Sequence, residues 1–160
     1  MDWFVVNARD AQWLDNEKFG AFTRFEPTGE RFEQFGINLS VLQPGQPMCF
    51  YHGEADQEGF LVLSGSLVLL IEGQERQLGP WDYVHCPPWT EHVIVAAGDS
   101  PSVVLAVGAR QNEGVVYPVS ELALGYGAGA AEERRRGAEG EAGQSPYIGF
   151  PEDRESESPL

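Results

Sequence analysis

Short apolar runs separated by turn residues dominate the chain from about Trp3 to Ala109. They fall at Trp3 to Asn7, Ala21 to Phe25, Phe35 to Leu42, Met48 to His52, Phe60 to Leu63, Leu67 to Ile71, Tyr83 to Cys86, His92 to Ala97 and Ser102 to Val107. β-Branched and aromatic residues are frequent in them, and the three-to-four spacing of a helix face is scarce. Between them stand Gln43-Pro44-Gly45, Ser64-Gly65-Ser66, Glu72-Gly73-Gln74, Gly79-Pro80 and Gly98-Asp99-Ser100-Pro101, each a turn signal. The pattern predicts an all-β barrel or sandwich.

Phe60-Leu61-Val62-Leu63 and Leu67-Val68-Leu69-Leu70-Ile71 are apolar at successive positions, so both of their faces are expected to be covered. The cover is expected from the N-terminal segment, with Trp3, Phe4, Trp13, Phe19, Phe22 and Phe25, or from a second subunit. Val115 to Val119 adds one more extended piece, and Ser120 then supplies an N-cap for a helical turn through Leu124. Residues 125–160 are rich in Gly, Ala, Glu, Arg, Ser and Pro, a composition that does not fold on its own burial. The expected organisation is therefore one barrel domain over residues 1–124 and a polar tail over 125–160. Within the tail, the apolar island Tyr147-Ile148-Gly149-Phe150-Pro151 is the expected docking point.

Composition narrows the partners. The 160 residues are 42% hydrophobic, enough for one packed core, yet no apolar stretch reaches the roughly 20 residues of a membrane helix. The N-terminus lacks the basic flank and cleavage site of a signal peptide, which sets a cytoplasmic location as the expectation. A net charge of −15 repels a phosphate backbone, so no nucleic-acid partner is expected, and polyanionic ligands are disfavoured. Cys49 and Cys86 are too few and wrongly spaced for a disulfide framework or a zinc ribbon, and are expected to be reduced core residues.

All three histidines, His52, His85 and His92, lie near an acidic cluster of Glu54, Asp56 and Glu58. On a strand, His52 and Glu54 leave the same face because strand side chains alternate with a period of two. A hairpin brings Glu58 beside them, and His92 opens another strand after the rigid Pro87-Pro88 corner. Imidazoles and carboxylates gathered in this way are ligands for a first-row divalent ion. No nucleophile elbow or phosphate-cradling glycine loop is present, and neither cysteine has the basic setting of a catalytic thiol.

Gly45-(x6)-His52-x-Glu54-(x3)-Glu58-(x6)-Gly65 and Trp81-(x5)-Pro87-x-Trp89-x-x-His92-(x3)-Ala96 resemble the two sequence motifs of the cupin superfamily. The likeness is to small single-domain bacterial cupins of the cupin-2 type and covers roughly residues 35 to 109. Glu54 stands where the family usually has a second histidine, Trp81 and Trp89 where it has glycines, and Ala96 where it has asparagine. The resemblance implies an all-β, antiparallel double-stranded β-helix (a cupin or jelly-roll barrel) with little helix and an extended C-terminal tail. It also implies a metal site made of His52, Glu54, Glu58 and His92, holding one divalent ion drawn from Mn, Fe, Zn or Ni. His85 occupies no ligand position, and a packed or interfacial role is expected for it. Tyr51, Gln57, Tyr83 and Trp89 are candidate pocket-lining groups, although alternation points Tyr51 away from His52.

The function so implied is binding of one divalent ion and a small oxygenated molecule in the barrel, with dioxygenase- or isomerase-like chemistry and no catalytic residue identified. If the protein is an enzyme, it is a metal-dependent oxidoreductase or isomerase. The alternative is a non-catalytic small-ligand-binding cupin with a structural metal or none. The expected partners are a small-molecule ligand and, through the surplus of N-terminal aromatics, a second copy in a homodimer.

Overall fold

The structure is a computed structural model, and it describes residues 2–137 and 151–160. It is almost entirely antiparallel β. A short 3-10 turn at Ala8–Asp10 leads into β1 (Gln12–Asn16), β2 (Gly20–Arg24) and β3 (Phe35–Leu42). The two-residue β4 (Gly53–Glu54) is followed by β5 (Glu58–Ser64), β6 (Ser66–Ile71), β7 (Gln74–Leu78), β8 (Tyr83–Cys86), β9 (His92–Ala97) and β10 (Ser102–Ala109). The chain continues through β11 (Gly114–Tyr117), α1 (Glu121–Gly125), β12 (Arg134–Gly137) and β13 (Arg154–Ser156). The strands form a seven-stranded sheet ordered β13-β1-β2-β3-β10-β5-β8 and two three-stranded sheets ordered β7-β6-β9 and β12-β11-β4.

The barrel interior follows from strand alternation. Phe60 and Val62 of β5, Val84 and Cys86 of β8 and Val104 of β10 meet Leu67 and Leu69 of β6 and Ile94 and Ala96 of β9 in one buried cluster. The opposite residues of β6 and β9, Val68, Leu70, Val93 and Val95, are buried in a second cluster with Tyr51, Ala123 and Ala128. The run Leu67–Ile71 is thus covered on both faces, and the second cover comes from α1 and the turn after it, not from the N-terminal segment. Small Ala123 and Ala128 allow close approach to the sheet, and Tyr51 N–H donates to the Ala128 carbonyl at 2.7 Å. Ser120 caps α1 by accepting from Ala123 N–H at 3.3 Å. The N-terminal aromatics cover the other sheet: Trp13, 1% exposed, packs with Leu39 and Val41 over Phe25, Val103 and Leu105.

Two sequence runs are not strands. Trp3 to Asn7 precedes the first ladder, because β1 is already paired on one side with β2 and on the other with β13. Met48 to His52 carries only isolated bridges, Pro47 to Val95 and His52 to His92, in keeping with a proline at its entry that cannot donate to a ladder. At the other end of the chain, β13 lies on β1 with Trp13 opposite Ser156, and Asn16 Nδ2 donates to the Pro151 carbonyl at 2.9 Å. Of the island 147–151 expected to dock the tail, only Pro151 is among the described residues.

Turn chemistry sets the hairpins. Glu72 and Gly73, with φ of 48° and 72°, make the two-residue β6–β7 turn in which both central residues are left-handed. Gly65 turns β5 into β6 at φ 87°, and a Cβ there would lie 2.2 Å from Ser102 Oγ and 2.6 Å from Ser102 Cα. Gly73 has nothing within 4 Å of that position. Gly65→Ala is therefore expected to destabilise the fold by about 3 kcal/mol or more in urea unfolding, and Gly73→Ala by only about 1 kcal/mol, the left-handed backbone penalty alone.

Candidate metal centre

His52, from the irregular segment before β4, and His92, the first residue of β9, reach the barrel mouth and are locked together by their backbones. His52 N–H donates to the His92 carbonyl at 3.1 Å and His92 N–H to the His52 carbonyl at 2.8 Å. This two-way bridge places the rings side by side, with centroids 4.9 Å apart. Each imidazole is then aimed by its other nitrogen. His52 Nδ1 lies 2.8 Å from the Phe50 carbonyl and His92 Nδ1 2.9 Å from the Thr90 carbonyl. A carbonyl only accepts, so both rings carry their proton on Nδ1 and present a bare Nε2 lone pair to the centre.

Glu58, first residue of β5, shares its inward face with Phe60 and Val62. Opposite it on β10 is Gly108, which leaves room for the carboxylate. Its Oε2 is 3.4 Å from His92 Nε2 and 3.8 Å from His52 Nε2. Phe60 lies under His92 at 5.2 Å between centroids, and Tyr117 beside His52 at 5.6 Å. Glu54 Oε1 is 3.7 Å from His52 Nε2, with its side chain 39% exposed toward the opening.

The donor atoms of His52, Glu58 and His92 all lie within 4.8 Å of one another, and Glu54 stands outside that compact set. An ion bound at about 2.0–2.2 Å by each ligand needs donors roughly 3 to 4.4 Å apart, and the two separations from Glu58 Oε2 to the imidazoles, 3.4 and 3.8 Å, fall in that span. The chemistry of the set points the same way, for His92 Nε2 is buried with no hydrogen-bond partner among the described residues. A buried polar atom left alone in this way costs free energy that a cation at the centre removes.

Burial sets the electrostatics of the four groups. It holds both imidazoles below their usual range, His92 down to about 4 with the neighbouring His52 adding to the effect. Burial also raises Glu54, and it raises Glu58 to about 8, with the charge of Glu54 adding to the latter. Neutral imidazoles are the ligand form, whereas Glu58 must be stripped of its proton by the ion it binds. Asp56, the remaining member of the acidic cluster, is committed elsewhere. It accepts from Gln111 N–H at 2.6 Å, Asn112 N–H at 2.9 Å and Asn112 Nδ2 at 2.7 Å, and these bonds hold its carboxyl below the usual range.

Next to the cluster is a cavity of about 870 Å³ whose wall includes Glu54, Glu58, Arg31, Asn38, Arg110 and Asn112. No motif in the sequence marks its far wall. Asn38 did leave a signal, being, with Ser40, a polar residue on the inward register of β3. Arg110 is held by an ion pair with Glu26 and by the Phe32 carbonyl at 2.9 Å, contacts that only the fold assembles. Among the candidate lining residues, Tyr51 is buried behind the β6–β9 sheet, while Gln57 and Tyr83 line a separate outer groove. Trp89 sits at the rim, its N–H donating to the Glu54 carbonyl at 2.6 Å. His85 is exposed on the outer face of β8. Both cysteines are free, and burial pushes the Cys86 thiol up to about 12.

The cupin-domain family model matches residues 38–108, the segment that contains all four of these positions. Over these residues the chain is a cupin domain. Among solved structures, this cupin is similar to a provisionally assigned sugar phosphate isomerase from Acidithiobacillus ferrooxidans, at 32% identity and a TM-score of 0.52 over 56% of this chain. It spans 58% of that relative's length. A cupin-superfamily sugar phosphate isomerase from Silicibacter pomeroyi is 26% identical over 83% of this chain and 75% of its own, with a TM-score of 0.58. The polyketide cyclase RemF from Streptomyces resistomycificus shares the fold at 17% identity and a TM-score of 0.59, over 69% of this chain and 81% of its own. No curated protein matches the chain. No helix among the described residues is long and apolar enough to cross a membrane.

The buried carboxyl gives a signed pH dependence. With its folded value near 8 against an ordinary 4.5, Glu58 binds a proton on folding throughout that interval, so metal-free stability falls as pH rises through it. The depressed His92 acts in the opposite sense, but only between about 4 and its ordinary 6.5. The melting temperature of metal-free protein is thus expected to drop between about pH 6.5 and 8, and Glu58→Gln to flatten that drop in a calorimetric pH series.

Proposed function

We propose that this cupin binds one divalent ion through His52, Glu58 and His92 and processes a small oxygenated molecule in the adjoining cavity by isomerase-type proton transfer. The observation that carries this reading is the convergence of two bare Nε2 lone pairs on the Glu58 carboxyl, a group that also lines the adjoining polar cavity. A divalent ion held there supplies a Lewis acid for a carbonyl oxygen. Mn, Fe, Zn and Ni all suit the mixed nitrogen and oxygen donors.

The chain's own groups take the remaining roles. Glu54 borders the cavity outside the compact set, with its carboxyl raised by burial, which is the tuning of a group that removes a proton from carbon beside a carbonyl and returns it to the neighbouring carbon. Phe60 and Tyr117 fix the imidazole planes, and the Trp89 N–H holds the Glu54 backbone. Asn38 and Asn112 offer amides for hydroxyl or carbonyl oxygens. Five carboxylates line the cavity, from Glu33, Glu54, Asp56, Glu58 and Glu113, against the guanidiniums of Arg31 and Arg110, the latter already paired with Glu26. That balance favours an uncharged hydroxy-carbonyl compound over a phosphorylated one. Proton transfer is also the chemistry suggested by the sugar phosphate isomerase names of the two relatives above 25% identity.

Two substitutions test the reading. Glu58→Ala is expected to abolish stoichiometric metal retention, measured by elemental analysis of protein purified without an affinity tag; undiminished metal content would overturn the site. Glu54→Gln is expected to retain the metal while cutting turnover of hydroxy-carbonyl substrates by roughly 10²–10⁴-fold, the usual worth of a positioned acid-base group. Loss of metal in Glu54→Gln would instead make Glu54 a fourth ligand.

A further inference from the structure

One row of the seven-stranded sheet leads from the metal centre to the far wall of the cavity. Glu58 on β5 pairs with Gly108 on β10, and Gly108 pairs with Gly36 on β3. Residues directly opposite across a ladder share a face, so all three lie on the inward side, with Glu58 and Gly36 two strand spacings, about 10 Å, apart. The next inward row is Phe60, Ala106 and Asn38. The middle of this floor therefore carries only a hydrogen and a methyl group, and a Cβ at Gly108 would already touch Glu58 Cγ at 3.7 Å. An elongated ligand has room to lie flat across it.

Arg110 occupies the end of that row away from Glu58. Its side chain is only 23% exposed, and its Nη1 donates both to the Glu26 carboxylate and to the Phe32 carbonyl, the latter at 2.9 Å. Its backbone N–H donates to the Gln34 carbonyl at 3.0 Å, so the residue is fastened at both ends to the connection between β2 and β3. The other edge of the guanidinium is different. Nη2 and Nε lie 2.9 and 3.1 Å from where a Cβ of Gly36 would stand, and neither makes a hydrogen bond with any described residue. The backbone at Gly36 is not left-handed, so it is the room for the guanidinium that calls for glycine there. A guanidinium held by one nitrogen and seated on bare backbone presents its other two as a fixed two-pronged donor.

We propose that the Nε and Nη2 edge of Arg110 is a substrate-recognition fork, which takes two neighbouring hydroxyl oxygens of an uncharged polyhydroxy aldehyde or ketone lying across Gly108, with the carbonyl at the Glu58 end. The inference rests on the hydroxy-carbonyl substrate proposed above and adds what the distal half of that molecule must carry. Arginine only donates, so the groups it meets must accept. Its own charge is matched by Glu26, and Glu33 and Glu113 outweigh Arg31 among the other groups on the cavity wall. The fork therefore lacks the net positive field that a carboxylate or phosphate calls for. Hydroxyls suit both sides of the wall: their oxygens accept from Arg110, and their protons go to the amide oxygen of Asn38, one inward position along β3 from Gly36, or to the carboxylates.

Calorimetric titration of the full chain with xylulose and with 1-hydroxypentan-2-one, the same carbon chain without the distal hydroxyls, tests the fork. The wild-type protein is expected to bind xylulose more tightly by about 10-fold or more, the worth of hydrogen bonds to a charged donor. Arg110→Lys keeps a cation beside Glu26 but has no two-pronged edge. It is expected to bring the ratio of the two affinities close to one, while the affinity for 1-hydroxypentan-2-one and the metal content stay as they were. Gly36→Ala pushes the guanidinium off its seat without altering any charge, and is expected to lower the ratio in the same direction. If Arg110 only clamps the β2–β3 connection, both variants lower the melting temperature and leave the ratio alone, and that result overturns the proposal. Equal binding of the two ligands by the wild type overturns it as well. So does tighter binding of xylonate, the corresponding acid, than of xylulose, which assigns the fork to carboxylates. Because binding is read and not turnover, a wild type that prefers xylulose but exchanges none of its C1 protons with solvent refutes the isomerase reading and keeps the fork. One that exchanges the C1 protons of both ligands and binds them alike refutes the fork alone.

Discussion

The two backbone hydrogen bonds between His52 and His92 hold the site together. They join a segment that is otherwise irregular, Met48 to His52, to the first residue of a regular strand, and so close the barrel mouth where its ladder pairing is thinnest. Because the contact is made by main chain, the distance between the imidazoles is set by the fold and not by side-chain rotamers. The Nδ1 protons, each tied to the carbonyl two residues upstream, remove the remaining freedom of tautomer and ring angle.

Around that bridge the barrel gathers two imidazoles and a carboxyl into a set able to hold a cation. Two imidazoles are kept neutral and one carboxyl is pushed up to about 8, while His92 Nε2 makes no hydrogen bond among the described residues. Stability of this kind of cluster comes from the apolar layer beneath it, Phe60, Val62, Ile94 and Val104, which keeps the ligands in place and keeps water out. The acidic far wall of the cavity and the acidic surface act together with the centre. They draw in cations and discourage anions.

Outside the barrel the covers are unequal. The β6–β9 sheet is closed by α1 and the turn behind it, through alanines small enough to bring backbone onto the sheet. The larger sheet is closed by Trp13 over only part of its width. The tail returns to the same sheet through β13, which uses up the open edge of β1. Edge strands are liabilities in water, and here one edge is paired in cis while β8 stays open.

Much was legible in the sequence because its signals are local. Alternation and turn residues located β3, β8 and β9 at their observed bounds, and Ser120 announced α1. The period of two together with the spacing from Glu58 to Gly65 put His52, Glu58 and His92 on inward positions near one another. What the sequence could not carry was anything decided by pairing across long separations. Trp3 to Asn7 has the composition of a strand, yet β1 had no free side to offer it. The cover over Leu67 to Ile71 came from residues some fifty positions later. Glu54, one residue from His52, shares its wall but stands outside the compact set of donors, a matter of ångströms that no spacing rule resolves. The sequence by itself determined which residues face inward, since side-chain direction follows backbone period. Only the tertiary structure decided which of those residues meet, since that depends on how strands distant in the chain share their hydrogen bonds.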